Sequence, residues 1–326
     1  MIYITSSPFS GSTLLTFLLN THPSIATVGH TTAFAGMRPD FPCSCGKPVK
    51  DCPLFEVLRA GFAKHGWDFS FFGDFPTDYR VLKSRRLNQL VVQNLPRLAS
   101  SAAENLRDDL VGRIPPLRRR LARADEANRI FLDICLRYFN ADVYVDNSHC
   151  PYRLKRLQSL PDFSVQPVHL VRNIYGVALS AHETYGWDPA FAAVKWVRKQ
   201  EEILRLTKVA EADRHARHGR RAPFLIDYDA VCADPTVELA SLFEAAGLVP
   251  VSVPTDFDGI EHHILGNRSR LGTRQIRVSE RWRRDLGPAD QKRVAQACRH
   301  AVAASRQATA LSSIVEPMLK SSDAIT

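Results

Sequence analysis

The chain has 326 residues, of which 45% are hydrophobic, and a formal net charge of +9. This length allows one large α/β domain, and no apolar run approaches the roughly 20 residues that span a bilayer. The positive charge suits an anionic partner, but the basic residues are scattered and no nucleic-acid motif is present, so we expect no nucleic-acid partner. The seven cysteines are an odd set without an export signal, which indicates reduced thiols in a cytoplasmic protein.

The first predicted elements are a strand and a helix. Ile2-Tyr3-Ile4 is a short β-branched and aromatic run that ends at Thr5-Ser6-Ser7-Pro8. Beyond Thr13, leucines recur at helical spacing, and His22-Pro23 closes the element. A strand, a loop and a buried helix in this order are the first half of a βαβ unit.

Three later apolar runs are predicted to be buried strands of the same sheet: Val143-Tyr144-Val145, Pro167-Val168-His169-Leu170-Val171 and Phe224-Leu225-Ile226. Each run is short and is followed by polar residues, as expected at the carboxyl edge of a parallel sheet. Ligands of open α/β sheets bind at that edge. The polar residues that follow these strands are therefore candidates for a binding site.

Helical patterns occupy much of the remaining chain. Residues from about 80 to 140 are predicted to form a mostly helical insertion, whose second segment follows Pro115-Pro116. A further helix is predicted from about Pro189 to Ala212, and the last one begins near Pro288, because proline is favoured in a first helical turn. The sequence thus predicts a single α/β domain over residues 1–326, with a P-loop-like parallel β-sheet flanked by helices and one helical insertion.

The residues Ser10-Gly11-Ser12-Thr13 lie between the first strand and its helix. Glycine lets the backbone approach an anion, helix N-terminal N–H groups point at it, and Ser12 and Thr13 add hydroxyl donors. A Walker loop has a lysine after its second glycine, whereas Gly11 is followed by Ser12. Hydrolysis of ATP or GTP with magnesium is therefore disfavoured, and a plain turn is the alternative to a phosphate-binding loop.

The stretch from Phe9 to Leu15, followed by Thr21-His22-Pro23, resembles the phosphate loop of PAPS-dependent sulfotransferases, particularly the bacterial members. PAPS is 3′-phosphoadenosine 5′-phosphosulfate, the sulfuryl donor of that family. The resemblance implies that the loop from Phe9 to Thr13 holds the 5′-phosphosulfate. The family often carries Arg or Lys where this chain has Phe9, and that cation would stabilise charge on the leaving oxygen.

A second signature follows the strand that ends at Val171. His169-Leu170-Val171-Arg172-Asn173, with Ser180 eight positions after Arg172, is similar to the 3′-phosphate site of the same family. An arginine supplies a forked charge-assisted contact and a serine a hydroxyl donor. The resemblance therefore implies that Arg172 and Ser180 bind the 3′-phosphate. The alternative is an arginine that caps a neighbouring carbonyl and a helix serine in solvent.

The segment His262-His263-Ile264-Leu265-Gly266-Asn267-Arg268-Ser269-Arg270 resembles the His-x-x-x-Gly-Asn-Pro-x-Arg segment of bacterial sulfotransferases. That segment closes over the nucleotide. The resemblance implies that Gly266 and Asn267 offer backbone or amide donors and that Arg270 pairs with the 3′-phosphate. Arg268 stands where the family has proline and completes this predicted set of nucleotide-binding residues.

Tyr228 follows the strand Phe224 to Ile226 and begins the stretch Tyr228-Asp229-Ala230-Val231-Cys232-Ala233-Asp234-Pro235. This stretch matches the family's Tyr-Glu-Asp/Asp-x-Val-x-x-Asp-Pro segment, which implies a place for Tyr228 beside the adenine. A packing residue at the rim of the sheet is the alternative for a tyrosine at a strand end.

Together these resemblances imply a sulfotransferase that moves the sulfuryl group of PAPS to a hydroxyl or amine acceptor by in-line displacement. Adenosine 3′,5′-bisphosphate (PAP) would be released, and no metal would be required. The alternative is a catalytically impaired PAPS- or PAP-binding protein of the same fold. The acceptor is expected to be a small molecule, a carbohydrate or a lipid, with at most peripheral membrane contact, because no motif covers the acceptor-binding loops.

Two histidines are the predicted catalytic residues. His30 stands where bacterial relatives commonly have a glutamate after the phosphate-loop helix, and its ordinary pKa near 6.5 suits a base. His149 occupies the lysine position of a turn that resembles the family's Asp-x-Ser-Lys-x-Pro. A protonated His149 would partly replace the cation missing at Phe9, whereas a neutral one would be a base. We predict His30 as the base, His149 as an electrostatic helper, and Asp146 as the residue that fixes the turn.

Cys43, Cys45 and Cys52 form a cluster in the sequence. A closed tetrahedral zinc site would need a fourth ligand, such as His65, and the spacing departs from the usual Cys-x-x-Cys pairs. Structural packing of an acceptor-side loop is the favoured interpretation, with a metal site or a redox role as alternatives. No metal ligand is therefore assigned from the sequence.

Overall fold

A five-stranded parallel β-sheet lies at the centre of the protein, with the strand order β2-β3-β1-β4-β5. The computed structural model describes residues 1–31, 38–70, 76–93, 101–207, 221–255, 262–264, 276 and 280–323. The strands are β1 (Ile2–Ser6), β2 (Ile25–Thr27), β3 (Val143–Asp146), β4 (Gln166–Val171) and β5 (Phe224–Asp227). Four of the five were predicted. The strand β2 was missed because a run of three residues is too short to show a pattern.

The helices flank this sheet, which confirms the predicted α/β class. Their bounds are α1 (Ser12–Leu19), α2 (Pro53–Lys64), α3 (Arg85–Val92), α4 (Ser101–Arg113), α5 (Pro115–Phe139), α6 (Pro151–Leu157), α7 (Ile174–Tyr185), α8 (Pro189–Thr207), α9 (Tyr228–Ala233), α10 (Pro235–Ala245), α11 (Arg281–Asp285), α12 (Pro288–Ala303) and α13 (Ala308–Asp323). None of the helices in the described part of the chain combines the length and the apolar composition that a membrane crossing requires.

Proline marks three of the predicted helix starts. Helices α5, α8 and α12 begin at Pro115, Pro189 and Pro288, where the missing N–H group costs nothing. The predicted end of α8 near Ala212 lies outside the described residues. The prediction that the helix from Pro288 is the last one is wrong, because α13 follows it after a short turn. In the predicted insertion, α5 packs on β2 and β3, while α4 packs on α5 and α3 on α4.

Residues of β1 alternate between the two faces of the sheet, and this alternation buries both faces. Ile2 and Ile4 belong to an apolar cluster with Leu18 of α1 and with α10. Tyr3 points to the other face and packs with Leu154 of α6. Each fully buried side chain of this size contributes about 1.5–3 kcal/mol of transfer free energy. Because helices cover both faces, the carboxyl edge of the sheet is left for ligands.

Candidate functional site

The loop after β1 turns sharply before it enters α1. Phe9 and Gly11 have φ angles of 65° and 84°, both in the left-handed region, and Gly11 is the N-cap of α1. A side chain at Gly11 would place its Cβ 2.0 Å from Cε2 of Tyr228, so only glycine fits there. The hydroxyls of Ser7 and Ser10 lie 2.7 Å apart. The loop therefore has the left-handed turn and the helix N-terminus of an anion-binding loop.

Arg172 connects this loop with the residue after β5. Its Nη1 donates a hydrogen bond of 2.8 Å to the Phe9 carbonyl, and its guanidinium carbon lies 4.8 Å from the centre of the Tyr228 ring. The Asp227 carboxylate accepts from the Asp229 N–H at 2.8 Å and so fixes the start of α9. The bond to Phe9 is a carbonyl cap, the alternative considered for Arg172, but the capped carbonyl belongs to the predicted phosphate loop itself. This hydrogen bond uses one of the five N–H donors of the Arg172 guanidinium group.

The structure says less about the remaining predicted nucleotide-binding residues. Thr13 is buried in the first turn of α1, and Ser180 is half-buried in the second turn of α7. The convergence of Ser180 and Arg172 on one phosphate stays a prediction. Four predicted residues lie outside the described part of the chain: Gly266, Asn267, Arg268 and Arg270.

The ring of His149 connects the end of β1 with the start of α1. Its Nδ1 lies 2.8 Å from the Ser6 hydroxyl and its Nε2 lies 3.0 Å from the Ser12 hydroxyl. Burial lowers the pKa of His149 well below its ordinary value, and the charges of His30 and Lys199 lower it further. The imidazole is therefore neutral at neutral pH. A neutral ring does not supply the positive charge predicted for an electrostatic helper.

His30 lies beside His149, in the segment that follows β2. The two ring centres are 5.0 Å apart, and the rings meet edge to face at 81°. Burial lowers the pKa of His30 as well, and the nearby Asp146 carboxylate offsets part of this effect. Each neutral imidazole has one nitrogen that can accept a proton. The loop site is the set of predicted residues that these contacts connect: Phe9, Gly11, Ser12, His30, His149, Arg172 and Tyr228.

A buried ion pair holds the turn that carries His149. The Asp146 carboxylate accepts from Nε of Arg153 at 2.9 Å, and both side chains are almost fully buried. The same carboxylate accepts from the Ser148 N–H at 2.9 Å, and the Ser148 hydroxyl accepts from the Thr31 N–H at 2.8 Å. Asp146 therefore fixes the turn, as predicted, and one network also positions the residue next to His30. Sequence reasoning missed Arg153, which is one of three basic residues of α6.

A cation near His149 comes from helix α8. The charge of Lys199 contributes to the low pKa of His149, and its ammonium group pairs with Glu202 at 3.1 Å. About a quarter of the Lys199 side chain is exposed. Sequence reasoning missed this residue because it lies within a helix rich in charged residues, far from every motif.

The three clustered cysteines meet a histidine from a distant part of the chain. Cys43, Cys45, Cys52 and His262 place their ligand atoms within 4.8 Å of one another, and we call this set the cysteine cluster. His65, the fourth ligand considered from the sequence, is exposed at the end of α2 and is not part of it. His262 lies 210 residues after Cys52, so no local spacing could have indicated it.

The comparisons with known proteins found likenesses only among solved structures. No protein-family model and no curated protein matches the sequence. The sulfotransferase domain from the Synechococcus PCC 7002 olefin synthase is similar with a TM-score of 0.49 and 19% identity, over 92% of this chain and 93% of that chain. The sulfotransferase domain from the curacin biosynthetic pathway has a TM-score of 0.44 and 17% identity, over 91% of this chain and 96% of that chain. These values describe a distant likeness and carry no information about the site.

Proposed function

We propose that the protein is a sulfotransferase that moves the sulfuryl group of PAPS to a hydroxyl or amine acceptor. The observation that carries this proposal is the hydrogen bond of 2.8 Å between Arg172 and the Phe9 carbonyl. It joins two sequence signatures that lie 163 residues apart and that both resemble nucleotide-binding segments of PAPS-dependent sulfotransferases. Tyr228 packs against both signatures, on Gly11 and on Arg172.

The loop site would provide separate contacts for the 5′-phosphosulfate and the 3′-phosphate of the nucleotide. The turn at Gly11 and the hydroxyl of Ser12 would bind the 5′-phosphosulfate. The guanidinium donors of Arg172 that do not bond to Phe9 would bind the 3′-phosphate, together with Ser180. Tyr228 would lie beside the adenine. This assignment uses the left-handed turn, the cation and the aromatic ring that the loop site brings together.

Sulfuryl transfer resembles phosphoryl transfer in its loose, in-line transition state, so the protein mainly has to position groups and stabilise charge. The acceptor oxygen forms a bond to sulfur while the bond from sulfur to the phosphate oxygen breaks, and PAP leaves. The acceptor proton goes to a neutral imidazole. Both ring nitrogens of His149 face serine hydroxyls, so we assign the base to His30 and the positioning of Ser12 to His149.

Two cations would compensate for the missing basic side chain at Phe9. The Arg172 guanidinium bonds to the Phe9 carbonyl, and the positive charge of Lys199 lowers the pKa of His149. Positive charge at this edge of the sheet would stabilise the phosphate oxygen on which charge develops during transfer. The lack of a basic side chain at Phe9 is therefore compatible with catalysis.

Calorimetric titration with PAP tests the binding half of the proposal. Adenosine 5′-monophosphate is the control ligand, because it lacks the 3′-phosphate that Arg172 would bind. We expect PAP to bind at least tenfold more tightly, and we expect this preference to disappear in Arg172→Ala. Equal affinity for the two nucleotides would contradict the proposed 3′-phosphate site.

Incubation with sulfur-labelled PAPS and fractionated extract of the source organism tests the transfer half. We expect the label to appear on an acceptor, whose identification would then separate small molecules, carbohydrates and lipids. Tight binding of PAP without transfer to any acceptor in a broad panel would instead identify a binding protein that has lost catalysis.

A further inference from the structure

The cysteine cluster joins three separate parts of the chain. Cys43 and Cys45 lie in a tight turn, where the Gly46 N–H bonds to the Cys43 carbonyl at 3.0 Å and Gly46 has a φ of 85°. Cys52 is the N-cap of α2, and Pro53 occupies the first position of that helix. His262 belongs to a short described segment, residues 262–264. The cluster is thus assembled by the fold and not by local spacing.

Four of the six distances between the ligand atoms are within about 0.4 Å of the edges of a tetrahedron around one ion, and all six are within 4.8 Å. The sulfur of Cys52 lies 3.8 Å from that of Cys43 and 4.0 Å from that of Cys45. Nδ1 of His262 lies 3.2 Å from the Cys52 sulfur and 3.9 Å from the Cys43 sulfur. Zinc bound at about 2.3 Å to sulfur and about 2.0–2.1 Å to nitrogen places the sulfurs about 3.8 Å apart and the nitrogen about 3.6 Å from each sulfur.

Three of the four ligands are closed to solvent. Cys43, Cys52 and His262 are at most 3% exposed, and Cys45 is half-buried. Cys43 and Cys52 belong to an apolar core cluster that also contains Phe62 of α2, and Cys45 packs against this cluster. Structural zinc sites have four protein ligands and no open position, whereas catalytic sites keep one position for water or substrate. A set of four protein ligands, three of them buried, indicates a structural ion.

The imidazole of His262 is oriented from outside the cluster. Its Nε2 lies 2.9 Å from the Tyr138 hydroxyl, so that Nδ1 faces the sulfurs with its lone pair when Nε2 carries the proton. Such a partner on the second ring nitrogen is the usual companion of a metal-bound histidine. The Ser44 hydroxyl accepts from the His263 N–H at 2.7 Å and joins the two segments a second time.

We propose that Cys43, Cys45, Cys52 and His262 bind one structural zinc ion. A disulfide fits less well, because the sulfurs are 3.8–4.0 Å apart instead of about 2 Å and a third thiol would be left over. Three cysteine sulfurs and one imidazole favour zinc over the harder cations that prefer oxygen. The role is independent of the reaction proposed for the loop site, so it can be tested without an activity assay.

Metal analysis of the full, untagged chain, purified without chelator, tests the proposal. We expect one zinc ion per chain by mass spectrometry of the elements, and at least a tenfold lower content in Cys45→Ser. The matched control is Cys135→Ser, which changes a buried cysteine of the same core outside the cluster and should keep its zinc. A wild-type chain that holds no zinc, that holds iron instead, or that contains a disulfide within the cluster would overturn the proposal.

X-ray absorption at the zinc edge keeps the proposal testable even where Cys45→Ser does not fold. The wild-type spectrum should show three sulfur atoms at about 2.3 Å and one nitrogen at about 2.0–2.1 Å. A shell of oxygen and nitrogen alone would place the ion elsewhere and overturn the assignment. Tyr138→Phe removes only the hydroxyl that orients His262, and in competition with a chelator it should weaken zinc binding roughly 10–100-fold.

Discussion

The loop site and the cysteine cluster are both assembled from distant segments, but they present their polar atoms differently. In the loop site, His30 and His149 are half-buried, and Arg172 bonds to a backbone carbonyl. In the cysteine cluster, four ligand atoms face one another, and three of the four residues are buried in the core. A site that exchanges ligands needs groups that can change partners, whereas a closed set of soft ligands serves to hold segments together. The contrast is consistent with the chemistry proposed for the first region and with the structural role proposed for the second.

The largest expected effect is on stability and concerns the buried ion pair below the loop site. Asp146→Asn leaves Arg153 buried without its counter-charge, so the free energy of unfolding should fall by about 3–5 kcal/mol. Urea unfolding measures this loss. The control is Asp162→Asn, which breaks the exposed pair with Arg129 and should change stability by less than about 1 kcal/mol. Equal effects of the two variants would show that the turn does not depend on the buried pair.

The second prediction separates the two histidines of the loop site. His30→Ala should lower turnover by roughly 10²-fold or more and leave affinity for PAP nearly intact, because it removes only the base. His149→Ala should weaken PAP binding as well, since it removes the bonds to Ser6 and Ser12. Steady-state kinetics and titration with PAP provide the two readouts. Turnover of His30→Ala at the wild-type level would move the base to another residue.

The third prediction concerns the cation that joins the two nucleotide signatures. Arg172→Ala should weaken PAP binding by about 1.5–3 kcal/mol, as for the loss of a charge-assisted hydrogen bond. Arg129→Ala, which removes an exposed arginine outside the loop site, should leave the affinity unchanged. Calorimetric titration of both variants measures the difference. Unchanged affinity of Arg172→Ala would remove this residue from the binding site.

The smallest expected effect is the pH dependence of the reaction. Burial lowers the pKa of His30, so this ring stays neutral and able to accept a proton at pH values where an ordinary histidine is protonated. The value of kcat/KM should therefore remain constant as the pH falls from about 8 to about 6.5, and decline only below that. A decline that begins above pH 7 would indicate a base with a raised pKa.

The sequence predicted the parts of the structure that depend on local patterns. The strands β1, β4 and β5 contain short apolar runs, and the proline-marked helix starts at Pro115, Pro189 and Pro288 follow from the missing N–H group. The meeting of Arg172 with the Phe9 loop followed from the shared carboxyl edge of parallel strands.

The other features of the two sites depend on tertiary contacts, which local sequence patterns do not predict. His262 reaches the cysteines across 210 residues, whereas His65 was the nearest candidate along the chain. From the sequence, Arg153 would be expected on the surface like other basic residues, but in the structure it is buried against Asp146. The pKa of His149 likewise depends on burial and on Lys199, so its neutral state could not be inferred from the turn motif alone.

The position of His262 has a consequence for the entropy of nucleotide binding. Gly266, the first of the predicted nucleotide contacts in that segment, lies only four residues further along the chain. Any residue four positions along a chain from a fixed one lies within about 14 Å of it, because an extended residue spans at most about 3.6 Å. A chain segment that is tethered at one end has less conformational entropy to lose on binding a ligand. An ion that fixes His262 in the core would thus favour the predicted nucleotide contact without touching the nucleotide.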